Sequence, residues 1–195
     1  SYIDNGFATL GGPGNTAPLI TKAGLSAAVC ANFGKGQFDG LDIAGRYFYG
    51  SMVDFGVDMS CCYICDDLPS GMSFIRKSDG TERGGIAYFP NANDVFDFEF
   101  AKNAIKKLSP KVVYYMYSGL SDMGDANGGI DLAAFFKWCR QNNCITIFDS
   151  ATLSDNLREK IKTGDAVESY KLIKPMLYET DLFFTSSDEI KLIAN

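Results

Sequence analysis

The second half of the sequence alternates helix and strand patterns, and this alternation limits the fold more than any other feature. Residues 98–108 carry helical periodicity and stop at Ser109-Pro110, where the proline disfavours helix in the residue before it. Residues 111–117 (KVVYYMY) are β-branched and aromatic, residues 130–142 (IDLAAFFKWCRQN) form an amphipathic helix pattern, and residues 144–148 (CITIF) read as a buried strand. Helical patterns at 157–161 and 167–177 lead to a strand at 181–184, and Ser187-Asp188-Glu189 opens a last helix running to Asn195. Parallel strands need a crossover of a dozen or more residues, usually a helix. The chain is therefore expected to build a mostly parallel sheet with helices on both faces.

In such sheets ligands gather outside the carboxyl ends of the strands. Ser118, Asp149, Ser186 and the acidic pair Asp188-Glu189 all fall there. Carboxylates in that position suit Mg2+ with a phosphorylated ligand, because magnesium takes a few oxygen ligands together with phosphates. The competing structural reading is that Asp149 caps the turn after its strand, while Glu189 sits in a first helical turn, where negative charge is favoured.

The first half is punctuated by glycine. Gly11-Gly12-Pro13-Gly14-Asn15 cannot lie within a helix or strand interior, and a helix is predicted over residues 17–23, ended by Gly24. Backbone N–H groups of such a turn can face a ligand; Asn15 either caps the helix or offers its amide to that ligand. A short strand within residues 2–10 leads into this turn, and residues 25–33 (LSAAVCANF) read as a buried strand. Gly34-Lys35-Gly36 reads as a flexible turn, followed by a helix over residues 39–55 that Gly56 closes. From residue 59 the period changes to two. Strands at 60–64, 71–76 and 84–89, with a turn at 77–81, predict a small antiparallel sheet inserted over about 59–89, and residues 90–94 leave it as a loop.

The 195 residues suffice for one domain, and no repeat or interdomain linker interrupts them. A net charge of −6 argues against a nucleic-acid-binding face and against an anionic membrane surface. There is no histidine, so Ser-His and Cys-His nucleophiles and histidine bases are excluded. Cys61-Cys62-x-x-Cys65 lacks a second ligand pair at zinc spacing; with Cys30, Cys139 and Cys144 it reads as buried structural thiols in a cytoplasmic protein.

The order of three features resembles the ribokinase-like (PfkB-type) carbohydrate and nucleoside kinases. They are the Gly11-Gly12-Pro13-Gly14-Asn15-x-Ala17 turn, the Gly34-x-Gly36-x-Phe38-x-Gly40 stretch, and the Ser70-Gly71 hairpin with Asp79-Gly80-x-Glu82-Arg83. The resemblance runs over essentially the whole chain and implies one incomplete ribokinase-like α/β domain, residues 1–195, with the small sheet as a β lid. It implies ATP-dependent phosphorylation of a sugar or nucleoside hydroxyl by the full-length parent protein, with Mg2+. The alternative is a non-catalytic pseudokinase serving as a binding or structural subunit. By position, Gly11, Gly12, Asn15, Asn93 and Ser118 match the substrate side, and Asp149, Ser186 and Glu189 the nucleotide and phosphate side. Glu189 matches the Glu of the family's Asn-x-x-Glu segment, which acts on magnesium through water; Ser186 stands where the family has Asn. The family's catalytic base lies in a Gly-Ala-Gly-Asp segment that these residues do not contain, so no catalytic residue is assigned within them. A homodimer through the lid, or a larger assembly, is the partner arrangement the resemblance implies.

Overall fold

The structure, a computed structural model, describes residues 9–77, 83–118, 120–150 and 171–193. It comprises two compact units divided between Asn93 and Asp94. The predicted strand within residues 2–10 lies outside the described residues apart from its last two, the predicted helix at 157–161 lies outside them entirely, the one at 167–177 does so up to residue 170, and so does most of the turn at 77–81.

Unit one opens with α1 (Pro13–Lys22), which starts four residues earlier than expected. Proline occupies its first turn, where the missing N–H costs nothing. Next come β1 (Asn32–Phe38) and α2 (Ile43–Asp54), with Gly56 at φ 74° closing the helix as predicted. β2 (Tyr63–Cys65) pairs in parallel with β1, Asn32 opposite Tyr63 and Gly34 opposite Cys65. The strand predicted at 60–64 thus belongs beside β1 and not in the antiparallel sheet. The hairpin itself forms as predicted: β3 (Met72–Lys77) and β4 (Arg83–Phe89) pair antiparallel, Met72 opposite Phe89 and Ile75 opposite Ile86. The core of this unit is built from Ala17, Val29, Phe33, Leu41, Met52, Val57 and Met59, with Phe48 and Tyr49 packed on Phe33.

The predicted turn at Gly34-Lys35-Gly36 is instead the middle of β1. The reason is close approach of backbone. A Cβ on Gly34 would sit 2.6 Å from Pro69 Cα and 2.5 Å from Asp42 Oδ2; one on Gly36 would sit 2.6 Å from Asp42 Cα. The glycines leave room for the close crossing of residues 68–69 and the start of α2, rather than for a bend. Asp42 ties that crossing together. Its Oδ1 accepts from Gly45 N at 2.7 Å, capping α2, and from the Ser70 hydroxyl at 2.8 Å. Its Oδ2 accepts from Ser70 N at 2.6 Å, and the buried Ser70 hydroxyl accepts in turn from Gly34 N at 2.9 Å.

Unit two is the alternating half. α3 (Phe98–Leu108), β5 (Val112–Met116), α4 (Ile130–Gln141) and β6 (Ile145–Asp149) match their sequence patterns closely. α5 (Lys174–Leu177), β7 (Leu182–Phe184) and α6 (Ser187–Ile193) follow. The three strands form one parallel sheet in the order β5-β6-β7. Phe136 and Phe148 are fully buried, with Tyr115 and Phe183 stacked on either side of Phe148.

Asp181 joins β7 to β6. Its Oδ2 accepts from Thr146 N at 2.8 Å, and Arg140 Nε lies 3.3 Å from its Oδ1. The Thr146 backbone bond, helped by the Thr146 hydroxyl and Arg140 against burial, holds the Asp181 carboxyl below the usual carboxylate range. A lowered carboxyl pKa stabilises the fold fully above the unfolded value, about 3.9, and that contribution is lost as pH falls through the folded value. Asp181→Asn is expected to flatten the acid limb of the urea midpoint measured against pH below about pH 4. An unchanged acid limb would contradict this linkage.

Candidate functional site

In unit one the glycine turn is tight and its residues play separate parts. Gly12 has φ 48° and ψ −121°, a conformation suited to glycine, and no side chain caps α1. A Cβ on Gly11 would meet nothing within 4 Å, so that backbone is open to a ligand. Asn15 is not the cap. It lies within the first helical turn, its N–H bonded to Gly12 O at 3.1 Å and its side chain exposed. Asn93 stands at the root of the hairpin, its amide donating to the Tyr88 hydroxyl at 3.4 Å. The loop holding it is sewn down by Asn32, whose buried amide donates to Ala92 O at 2.9 Å, and by Asn91, which donates to Ser70 O at 3.1 Å. A groove of about 410 Å³ along α2, lined by residues including Asp39, Arg46 and Tyr49, contains none of the predicted site residues.

In unit two the predicted residues do gather at the carboxyl ends of the strands, but on two faces. Alternation of side chains along β6 sends Asp149 to one face and Ser150 to the other. On the second face Glu189 is buried at the start of α6. Ser186 and Glu189 form a reciprocal cap: Glu189 N donates to Ser186 Oγ at 3.2 Å and Ser186 N to Glu189 Oε2 at 3.0 Å. Ser186 therefore has a structural role here, as the cap partner of Glu189. The Thr185 hydroxyl donates to the same Oε2 at 3.3 Å, and the fully buried Ser150 hydroxyl reaches Thr185 Oγ1 at 3.0 Å. Oε2 is thus heavily bonded, whereas Oε1 is the one buried side-chain polar atom without a hydrogen-bond partner among the described residues. A buried carboxylate oxygen left bare is costly, by about 1–3 kcal/mol or more. It fits a bound water or cation.

On the opposite face, Asp149 Oδ2 accepts from the Tyr114 hydroxyl at 2.9 Å. Burial first, then this bond and the Asp149 charge, push the Tyr114 phenol well above its ordinary range, so it stays a donor at neutral pH. Tyr117 N donates to Asp149 O at 3.0 Å, and Tyr117 holds φ 78°, a left-handed conformation that costs a bulky residue of order 1–3 kcal/mol. Such conformations cluster at functional sites. Ser118, next in the chain, is buried. Sequence reading missed Tyr114, Ser150 and Thr185. Thr185 directly follows the predicted strand at 181–184 and Ser150 lies two residues past the one at 144–148, so both were findable by position; Tyr114 was not, because its role depends on which face of the sheet it takes.

The thiols are set apart from this chemistry. Burial, with its Cys62 and Cys61 neighbours, raises Cys30 to about 12, and burial leads in raising Cys62 to about 11 and Cys139 to about 12. Cys62 and Cys144 donate to the carbonyls of Val29 and Pro110, each at 3.3 Å. Among the described residues no group of three His, Cys, Asp or Glu side chains could hold a metal, and no helix is long and apolar enough to cross a membrane.

No protein-family model matches the sequence, and no curated protein does. Solved structures do. A fructokinase from Xylella fastidiosa superposes with a TM-score of 0.71 at 18% identity, over 96% of this chain and 55% of that protein. The fold is ribokinase-like. A PfkB protein from Polaromonas sp. JS666 gives a TM-score of 0.71 at 16% identity, covering 95% of this chain and 58% of its own. An uncharacterized sugar kinase from Pyrococcus horikoshii, in complex with ATP, gives 0.73 at 16% identity, covering 95% and 56%. The chain spans little more than half the length of these ribokinase-like proteins. Its parallel strands, flanking helices and separate antiparallel hairpin are the features shared with them.

Proposed function

We propose that the full-length protein carrying this chain transfers the γ-phosphoryl group of ATP to the hydroxyl of a sugar or nucleoside. The observation that carries this reading is the bare, buried Oε1 of Glu189 at the carboxyl end of a ribokinase-like sheet. ATP in the Pyrococcus horikoshii sugar kinase structure and the likeness to the Xylella fastidiosa fructokinase support it.

Phosphoryl transfer rests on positioning and on neutralising phosphate charge. Magnesium, when bound, supplies part of that neutralisation, and it prefers one or two carboxylates with substrate phosphates over an all-protein cage. Glu189 would hold it through water, in keeping with a site that offers a single buried carboxylate and no cluster of ligands among the described residues. Ser186 keeps the Glu189 carboxylate in place, and Asp149 supplies a second carboxylate at the nucleotide rim. Gly11, Gly12, Asn15, Asn93 and Ser118 are the substrate-side residues in this reading. The hairpin serves as the lid. Phe74 and Ile75 on β3 and Ile86 on β4 are each more than half exposed, apolar surface that closure over a ligand or pairing with a second copy would cover.

The test is calorimetric titration of the full-length protein with Mg·ATP, followed by ADP release with a panel of hexoses, pentoses and nucleosides. Saturable, acceptor-dependent ADP release is expected. Nucleotide binding with no turnover on any acceptor would favour the pseudokinase, and no nucleotide binding would end the kinase reading.

A further inference from the structure

The tyrosine at the middle of β5 has no part in the reaction as described so far, yet it makes a direct bond to a rim carboxylate. In the parallel register Tyr114 lies opposite Ile147 and Met116 opposite Asp149, so Tyr114 and Asp149 share one face of the sheet on adjacent strands, two residues apart along the ladder. From there the Tyr114 hydroxyl spans the step and donates to Asp149 Oδ2 at 2.9 Å. The backbone is held at the same place from above: Tyr117, in its left-handed conformation, donates its N–H to Asp149 O at 3.0 Å. Asp149 is thus held at its side chain by β5, while the bond at its carbonyl is the last rung of the β5–β6 ladder.

A turn cap does not need the side-chain bond. A carboxylate that must meet a charged ligand in one orientation does, because a freely rotating side chain would give up part of the ligand's binding energy to ordering. We propose that Tyr114 is a positioning residue, whose hydroxyl fixes the Asp149 carboxylate at the nucleotide rim for Mg·ATP. This rests on the kinase reading above and extends it to a residue on the face opposite Glu189. The rim is then bracketed by two carboxylates, Glu189 held by Ser186 and Thr185 on one face and Asp149 held by Tyr114 on the other.

The experiment is a double-mutant cycle on Mg·ATP binding by the full-length protein, using Tyr114→Phe, Asp149→Asn and the pair. Tyr114→Phe is expected to weaken binding about tenfold, as loss of a supporting hydrogen bond does at metal sites. Combined with Asp149→Asn it is expected to add nothing further. In folded protein carrying 3-fluorotyrosine, the fluorine signal assigned to residue 114 is expected to shift on adding Mg·ATP and not on adding sugar alone. This second measurement needs no variant that removes the hydroxyl. Wild-type protein that fails to bind Mg·ATP would overturn the kinase reading and this inference together. Wild-type binding with an additive cycle, or with a fluorine signal indifferent to Mg·ATP, would overturn this inference alone.

Discussion

Asp42→Ala is expected to destabilise unit one by about 3–5 kcal/mol. The substitution removes the cap of α2, worth about 0.5–2 kcal/mol. It also strips Ser70 of acceptors for its N–H and its hydroxyl, in a place where Ser70 is buried. Each buried group left without a partner costs about 1–3 kcal/mol. The Ser70 hydroxyl is itself the acceptor for Gly34 N, so the loss reaches the strand that crosses beneath it. Against a total stability of about 5–15 kcal/mol for a domain, this removes between about a fifth and all of the margin. Asp42→Asn is a sharper probe. It can keep an acceptor oxygen for Gly45 N but must set an NH2 group against one of the Ser70 donors, so an intermediate loss is expected. Urea unfolding of both variants, followed by amide exchange across residues 32–38, measures this. A loss below about 1 kcal/mol for Asp42→Ala would show that the bonds between Asp42 and Ser70 contribute no more than an exposed cap.

Glu189→Gln is expected to lower nucleotide-dependent turnover of the full-length protein by about 10–100-fold, as loss of a supporting ligand does at metal sites. The variant is chosen because glutamine can still accept from Ser186 N and complete the reciprocal cap at the start of α6. Folding stability should therefore change little, while the negative charge beside the bare Oε1 position disappears. The loss should show as a raised magnesium requirement as well as a lower rate. Glu189→Ala removes charge and cap together, so it should lose activity and also about 0.5–2 kcal/mol of stability. Titrating turnover against magnesium for the two variants separates these effects. If Glu189→Gln kept wild-type turnover and magnesium dependence, Glu189 would be a structural cap only, and the reading of its bare oxygen as a ligand position would be lost.

Much of unit two was legible in the sequence because its elements are specified locally. Strand 111–117, helix 130–142 and strand 144–148 carry strong periodicity, and β5, α4 and β6 lie within two residues of those bounds. The Ser-x-x-Glu spacing at Ser186 and Glu189 is also a local signature, and it sits where a helix starts. The hairpin was readable for the same reason: two runs of period two on either side of a turn pattern have few other ways to pair.

The rest was decided by tertiary structure. Gly34 and Gly36 looked like a bend because glycine is a turn signal to its neighbours in sequence; the strand they form is explained only by Asp42 and by residues 68–69, more than thirty positions away, pressing against Gly34. β2 gives no local sign of being parallel, since its partner is chosen by the strand beside it. Asn15 looked like a helix cap because asparagine favours that place, but Pro13 starts the helix earlier. The same division runs through the site. Sequence placed Ser118, Asp149, Ser186 and Glu189 at strand ends, because strand ends follow from periodicity. That Asp149 and Glu189 take opposite faces, that Tyr114 grips one and that the other keeps a bare buried oxygen depend on pleat, register and burial. Those properties belong to chains packed together, and no window of sequence contains them.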